Sequence, residues 1–205
     1  MERAVIITGG TISDYHWTAG LIGPDDTVVC ADSGYDHAVK MGIRPKVLLG
    51  DFDSIASLPE NCEIIRYPVK KDSSDTELAA GWAVGQGFKE LLFLGAIGSR
   101  MDHTLANIFL LAELLKSGAR GEIIDEHNRI AVTETGLTLD EPPGAIVSLL
   151  PLSDCAGITT VGLEYPLQGT DMKPGRSLGV SNVVTARPAS VSLTAGTLAV
   201  IIARD

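Results

Sequence analysis

Two carboxylates separated by a single residue follow a short apolar run. Asp51 and Asp53 stand in Gly50-Asp51-Phe52-Asp53-Ser54, directly after Val47–Leu49. In an extended segment, residues two apart point the same way, so both carboxylates can converge on one ion while Phe52 turns into the protein. Mg²⁺ typically takes one or two carboxylates together with substrate phosphates. A polar turn explains the same residues, because Gly-Asp and Asp-Ser are ordinary loop sequences.

A second polar cluster, Asp32-Ser33-Gly34, follows the apolar run Thr27–Ala31. Its small residues let a ligand approach the backbone, and the exposed amides of a helix start favour anions. The simpler interpretation is that Asp32 or Ser33 caps a helix. Taken alone, this cluster favours the cap.

A third cluster surrounds a predicted helix start in Lys70-Lys71-Asp72-Ser73-Ser74-Asp75-Thr76-Glu77. Ser74 and Glu77 have the spacing of a capping box, in which Ser and Glu satisfy free amides at the start of a helix. The paired lysines can meet phosphate, and Asp75 lies in the first helical turn. A carboxylate in that turn is also stabilised by the helix dipole alone, so a ligand site and a plain helix start both remain open.

A fourth cluster follows the apolar run Leu91–Leu94 and contains Arg100, Asp102, His103 and Asn107. His103 and Asn107 are four residues apart and share a helix face. Arg100 supplies a guanidinium fork for phosphate. Asp102 can instead cap the helix, and a lone histidine is usually structural. These polar residues are nevertheless more closely grouped at one strand–helix junction than a passive loop requires.

Further along the chain, Tyr165 can stack on a flat ring, and Ser181 and Asn182 can hydrogen-bond a heterocycle. These residues alone favour a plainer interpretation, with Tyr165 in a core and Ser181-Asn182 in a turn.

The first two thirds of the chain alternate short apolar runs with helical patterns. Strands are predicted over Ala4–Ile7, Thr27–Ala31, Val47–Leu49, Glu63–Tyr67, Leu91–Leu94 and Glu122–Asp125. Helices are predicted over Tyr35–Met41, from Ser74 to about Gln86, and over Asp102–Lys116. This alternation predicts an α/β unit with a mostly parallel, Rossmann-like sheet. Ligands of such sheets bind at the carboxyl ends of the strands, where these polar clusters stand.

After about Ile130 the helical periodicity stops and short β-type runs take over. They cover Ile130–Thr133, Ala145–Leu150, Gly157–Val161, Asn182–Ala186, Ala189–Leu193 and Thr197–Ala203, and turn residues separate them. This spacing predicts a smaller all-β unit, either a sandwich or a barrel-like unit, and we expect the sandwich. We therefore expect an α/β domain over residues 1–130 and a β domain over residues 131–205.

Composition narrows the class of protein. The formal net charge of −10 argues against nonspecific nucleic-acid binding, which relies on Lys and Arg. Three scattered cysteines without a Cys-x-x-Cys pair indicate reduced thiols in a cytoplasmic protein. The N-terminal apolar run is too short for a signal peptide, and no segment approaches the roughly 18 apolar residues of a membrane helix.

The clusters taken in order resemble the thiamine pyrophosphokinase family over nearly the whole chain. The resemblance rests on Ala31-Asp32-Ser33-Gly34, Gly50-Asp51-Phe52-Asp53-Ser54, Lys71 to Glu77, Gly95 to His103 with Asn107, and Ser181-Asn182. It implies Mg²⁺-dependent transfer of the diphosphoryl group of ATP to thiamine, which gives thiamine diphosphate and AMP. It also implies a homodimer in which thiamine binds between one subunit's α/β domain and the other's β domain.

The resemblance also implies roles for individual residues. Asp51, Asp53 and Asp75 match the metal and polyphosphate carboxylates, while Arg100 and Asp102 belong to the catalytic cleft. The binding residues are expected to be Asp32, Ser33, Gly34, Ser54, Lys71, Ser74, Thr76, His103, Asn107, Tyr165, Ser181 and Asn182. Two departures are visible: Ser74 stands where Thr is usual, and Tyr165 stands where some members have Trp.

Two other classes compete with this interpretation. In a Mg²⁺-dependent phosphatase, Asp51 would be a nucleophile and Asp53 an acid/base, but the helix-start motifs would have no clear place. In a noncatalytic thiamine or nucleotide sensor, the same residues would bind without turnover. The carboxylates at the first three clusters, Asp51 with Asp53, Asp32, and Asp75, argue against the sensor.

Overall fold

The computed structural model of this chain describes residues 2–52, 62–68 and 72–204. The chain divides into two compact units, Met1–Glu126 and His127–Asp205. The division falls a few residues before the boundary predicted from the sequence, at the point where helical patterns give way to short β-type runs.

The described part of the first unit contains six parallel strands in the order β6-β5-β1-β2-β3-β4. Their bounds are β1 Ala4–Ile7, β2 Thr27–Ala31, β3 Val47–Gly50, β4 Glu63–Arg66, β5 Glu90–Leu94 and β6 Arg120–Ile124. The strands β1 and β3 are buried along their whole length, which is why they read as unbroken apolar runs and not as alternating patterns.

Within the described residues, four helices connect these strands: α1 Tyr15–Ala19, α2 Gly34–Met41, α3 Asp75–Gly85 and α4 Met101–Lys116. Leu92 and Leu94 of β5 join a core cluster that includes Ala38 of α2. Phe93, between them, points the other way and meets Leu111 and Leu114 of α4 around Gly121. Helices therefore cover both faces of the sheet, as the alternation of strands and helices predicted.

The strand order reverses at β1. The chain builds β1 to β4 in one direction and then returns to place β5 on the other side of β1. At such a switch point the connections leave β1 and β5 on opposite faces, so a crevice opens at the carboxyl ends of these two strands. The sequence predicted polar strand ends but not which pair of strands would form the crevice.

The second unit is all-β in its described residues. Its strands are β7 Asn128–Thr133, β8 Gly136–Leu139, β9 Ile146–Pro151, β10 Cys155–Val161, β11 Thr170–Met172, β12 Asn182–Val183, β13 Ala189–Ser192 and β14 Leu198–Ala203. They pair antiparallel as β12-β9-β14-β7 and β11-β10-β13-β8. Leu149 and Val200 from the first set share one core with Ile158 and Val191 from the second.

At the level of fold class, the structure is an α/β unit with parallel strands followed by an all-β unit. The short elements α1, β8 and β11 were not predicted, since each has too few residues to show a period. Among the described residues, no helix is long and apolar enough to cross a membrane.

Candidate active site

A cleft of about 390 Å³ lies in the first unit at the carboxyl edge of its sheet. Four segments line it: the ends of β1 and β2, the start of α3, and the β5–α4 junction. The lining residues are Thr8, Gly9, Gly10, Thr11, Ala31, Asp32, Ser33, Ser74, Asp75, Thr76, Gly95, Ala96, Gly98, Ser99, Arg100, His103, Thr104 and Asn107. Eight of the residues predicted as site residues are among them: Asp32, Ser33, Ser74, Asp75, Thr76, Arg100, His103 and Asn107.

The wall at the switch point is built from backbone. The amide of Gly10 donates to the carbonyl of Gly95 over 2.7 Å, and the amide of Thr11 donates to Ile97 over the same distance. A Cβ added at Gly10 would lie 2.2 Å from the Gly95 oxygen, so only glycine allows this approach. Gly9 and Gly10 were not among the residues predicted from the sequence to belong to the site.

The end of β2 departs from the predicted helix cap. Asp32 has a φ of +44°, and its amide donates to the carbonyl of Leu49 over 2.7 Å. Ser33 is the N-cap residue of α2 but makes no side-chain capping bond. Its hydroxyl instead packs on Gly9, where a Cβ would come within 2.0 Å of the Ser33 oxygen. The cap interpretation is therefore wrong for Ser33, and both residues face the cleft.

Gly34 does not line the cleft. It is buried at the start of α2, and a Cβ there would lie 2.1 Å from the carbonyl oxygen of Ile7. The absence of a Cβ atom allows α2 to pack closely on β1, which is a structural reason for the glycine.

The geometry expected after β3 also needs correction. Phe52 is buried, as predicted, but its φ is +66°, in the left-handed region, so the segment around it is not extended. The expected extended backbone, in which residues two apart point the same way, is therefore wrong at Phe52. Asp51 is half-buried and does not line the cleft, while Asp53, Ser54 and Lys71 lie outside the described residues.

The start of α3 follows the predicted capping geometry. Ser74 is the N-cap residue, and its hydroxyl accepts a hydrogen bond of 3.2 Å from the amide of Glu77. This bond fixes the first turn, so the next two residues, Asp75 and Thr76, reach the cleft together with the positive end of the helix.

The start of α4 carries an exposed ion pair. The Nε and Nη2 atoms of Arg100 donate to the two carboxylate oxygens of Asp102 over 3.2 and 2.6 Å. The hydrogen bond from Arg100 lowers the pKa of Asp102 to about 2, and the backbone amide of His103 assists. Arg100 lines the cleft and Asp102 does not, so the pair joins a cleft residue to one outside it.

Two buried polar side chains of α4 fasten the loop that follows β5. The amide nitrogen of Asn107 donates to the carbonyl of Ala96 over 2.8 Å. The hydroxyl of Thr104 accepts from the amide of Gly98 over 3.2 Å. Thr104 was missed by the sequence analysis because a lone threonine in a helix carries no functional signal.

In the second unit, the predicted vitamin-binding residues differ in their exposure and in their hydrogen bonds. Tyr165 is 64% exposed, which contradicts its placement in a core. The Asn182 side chain accepts from the Tyr165 amide over 3.0 Å and donates to the Tyr165 carbonyl over 2.7 Å. Asn182 is buried and holds Tyr165 in place, while exposed Ser181, at a φ of +57°, is anchored through its amide to Ser148.

Comparisons with known proteins identify the family of this chain. The thiamin pyrophosphokinase catalytic-domain model matches residues 19–123, and the family's vitamin B1 binding-domain model matches residues 133–198. The chain belongs to the thiamin pyrophosphokinase family. The resemblance stated from the motifs is thereby confirmed, and with it the expected enzyme class, a thiamine diphosphokinase that uses ATP.

Two bacterial members of the family resemble the chain over its full length. Thiamine pyrophosphokinase of Bacillus subtilis is 29% identical over 216 residues, with all of both chains covered. The crystal structure of the Bacillus subtilis enzyme superposes with a TM-score of 0.87 at 25% identity over all of both chains. That of Geobacillus thermodenitrificans gives 0.86 at 27% identity, covering all of this chain and 98% of the other.

Proposed function

We propose that this chain transfers the diphosphoryl group of ATP to thiamine, with the polyphosphate bound in the cleft of the first unit. One observation carries the assignment of the cleft: the ends of β1, β2 and β5 and the starts of α3 and α4 all reach it. Amides at helix starts bind anions, and a switch point is where α/β sheets bind nucleotides. In finer terms, we propose a Rossmann-like first domain and a β-sandwich second domain.

The positive groups of the cleft support a phosphate site. The Arg100 guanidinium lines it beside the hydrogen-bonding ring of His103, and the N-termini of α3 and α4 add partial positive charge. Transfer of a phosphoryl-type group depends mainly on positioning and on neutralising negative charge. Arg100, together with Lys71, is assigned to support the transferred group or the leaving AMP.

The donor chemistry at the carboxyl edge of the sheet fits Mg²⁺. Asp51 follows β3 directly beside β2, and Asp75 lines the cleft, so carboxylate oxygens are available to a hard cation. Within residues 2–52, 62–68 and 72–204, no three His, Cys, Asp or Glu side chains form a metal-binding group. We assign Mg²⁺ to Asp51, Asp53 and Asp75, where the bound ion would neutralise charge on the polyphosphate.

A base for the thiamine hydroxyl is assigned to Asp75. The motifs that resemble the family offer two candidate carboxylates, Asp75 and Asp102. Asp75 lines the cleft, whereas Asp102 lies outside it and is paired with Arg100. A carboxylate with a pKa of about 2 is also a weak proton acceptor near neutral pH.

The vitamin is assigned to the exposed ring of Tyr165, with Ser181 beside it and Asn182 as the group that holds the Tyr165 backbone. An exposed aromatic ring on a fixed backbone offers stacking area at low entropic cost. Thiamine carries a positive thiazolium ring, which suits a protein with a net charge of −10.

We further propose a cytoplasmic homodimer with the active site at the subunit interface. Along α4, the large apolar side chains Met101, Leu105 and Phe109 are exposed at a spacing of four residues, beside the cleft-lining His103. A contiguous apolar stripe of this kind is typical of an interaction surface. Val161, Leu178 and Val180 of the second unit are exposed as well and offer apolar area to a second copy.

The direct test is incubation of the protein with thiamine, ATP and Mg²⁺, followed by separation of nucleotides and thiamine species. We expect thiamine diphosphate and AMP in equal amounts. Formation of ADP, or thiamine binding without turnover, would contradict the proposal. A phosphoenzyme trapped on Asp51 would instead favour the phosphatase.

The metal assignment has its own test. Asp53→Asn should abolish turnover while the circular dichroism spectrum and melting temperature stay near those of the wild type. Asp25→Asn, at an exposed residue far along the chain from the proposed ligands, is the matched control and should remain active. A fully active Asp53→Asn variant would remove Asp53 from the metal site.

A further inference from the structure

We infer that His37 is a positioning residue for the polyphosphate site, acting through the carbonyl group of Gly10. This inference rests on the proposed use of the cleft for ATP. His37 is half-buried in α2 and does not line the cleft itself. Its Nε2 atom lies 2.9 Å from the carbonyl oxygen of Gly10, a cleft residue. Since a carbonyl oxygen only accepts, Nε2 must carry a proton and donate it.

The other ring nitrogen of His37 is fixed by a second contact. The hydroxyl oxygen of Tyr15, in α1, lies 3.0 Å from Nδ1. Lys40 Nζ lies 3.3 Å from the same hydroxyl and 5.4 Å from the centre of the Tyr15 ring. An ammonium group only donates, so the Tyr15 oxygen accepts from Lys40 and its own proton is free to bind Nδ1.

These contacts form a chain of hydrogen bonds with one direction, from Lys40 through Tyr15 and His37 to Gly10. Each group can donate to the next, and in that arrangement the His37 ring donates from Nε2 and accepts at Nδ1. Hydrogen bonds in such a chain polarise one another, which strengthens the last link to Gly10. None of these four hydrogen-bonded residues was predicted as a site residue, because their contacts join α1, α2 and the end of β1.

The position of Gly10 gives the last link a functional consequence. On one side the Gly10 amide is bonded to Gly95, and on the other its carbonyl is bonded to His37. A carbonyl oxygen turned into the cleft would repel phosphate oxygens. By holding this oxygen towards α2, His37 keeps it out of the cleft wall, where the small residues Gly9 and Gly10 leave room for a ligand.

Substitution of His37 tests the inference through ATP binding. His37→Phe keeps the ring and removes the donor, and we expect KM for ATP to rise about tenfold, the size of one lost hydrogen bond. We expect kcat and KM for thiamine to change much less. His37→Gln can place an amide N–H near the position of Nε2 and should restore most of the ATP affinity. His16→Phe, an exposed histidine of the neighbouring helix, is the matched control.

A readout without turnover separates this inference from the proposed function. In ¹⁵N NMR spectra of the wild type, His37 should show a protonated Nε2 and an unprotonated, hydrogen-bonded Nδ1. Tyr15→Phe should shift the Nδ1 resonance and weaken calorimetric binding of Mg²⁺-ATP measured without thiamine. The opposite tautomer, or unchanged ATP affinity in both His37→Phe and Tyr15→Phe, would overturn the inference. A wild type that binds ATP but forms no thiamine diphosphate would contradict the proposed function alone.

Discussion

The side-chain amide of Asn107 donates a 2.8 Å hydrogen bond to the carbonyl oxygen of Ala96, joining the second turn of α4 to the loop after β5. Asn107 is 7% exposed and also lines the cleft. The amide nitrogen of Asn107 is thus hydrogen-bonded to the loop. The same side chain still presents its oxygen as an acceptor for a ligand or water.

Asn107→Ala should lower both stability and activity. The Ala96 carbonyl would lose its partner in a buried position, which costs about 1–3 kcal/mol of unfolding free energy. The loop that carries Gly98 and Arg100 would then be less well fixed, so turnover should fall by more than the loss of folded protein explains. Chemical denaturation and steady-state kinetics on the same samples measure the two effects.

The control for that variant is Glu113→Ala, at an exposed residue of the same helix whose carboxylate pairs with nearby Lys116. It should change the unfolding free energy by less than about 0.5 kcal/mol. If Asn107→Ala is as stable and active as this control, the bond to Ala96 has no role in the site.

Ser74→Ala should weaken the start of α3. The hydroxyl that accepts from the Glu77 amide is lost, which typically costs about 1 kcal/mol at an N-cap. Because Asp75 and Thr76 reach the cleft from this turn, KM for ATP should rise as well. Ser74→Thr keeps the hydroxyl, and we expect it to retain the stability and activity of the wild type. Equal behaviour of the alanine and threonine variants would refute the role of the cap.

Acid should weaken the ion pair between Arg3 and Asp26. Burial alone raises the pKa of Asp26, but hydrogen bonds from Arg3 and the Gly23 amide, with the charge of Arg3, bring the pKa below its usual value. A lowered folded-state pKa stabilises the protein above the unfolded-state pKa of about 3.9, and this stabilisation disappears as the pH falls through the folded-state value.

The measurement is the unfolding free energy of wild type and Asp26→Asn from pH 6 downwards. The wild type should be the more stable protein at pH 6, and the difference should shrink below about pH 4 as the carboxylate is protonated. The exposed residue Asp25, changed to Asn, provides the control. A difference between wild type and Asp26→Asn that stays constant down to pH 2 would contradict the assignment.

The sequence predicted what depends on local patterns. The buried strands and the start of α3 could be predicted because apolar runs and the Ser74–Glu77 spacing are set by neighbours in the chain. The left-handed conformation of Phe52 could not, since nothing in the residue type favours it. The same holds for the Gly10–Gly95 wall and the His37 contacts, which depend on which strands become neighbours when the sheet forms.

The apolar stripe on α4 tests the proposed dimer. Met101, Leu105 and Phe109 are 60%, 49% and 56% exposed, and their spacing places them on one side of the helix. Leu105→Glu with Phe109→Lys should leave the monomer folded, because neither side chain contributes to the core. The double variant should elute as a monomer in size-exclusion chromatography with light scattering, while the wild type elutes as a dimer.

Since the proposed thiamine site combines two subunits, activity should fall with dimer content and recover partly at high protein concentration. Val39→Lys, an exposed apolar residue on α2, is the control and should leave the dimer intact. A double variant that stays dimeric, or a monomer with full activity, would contradict the proposed interface.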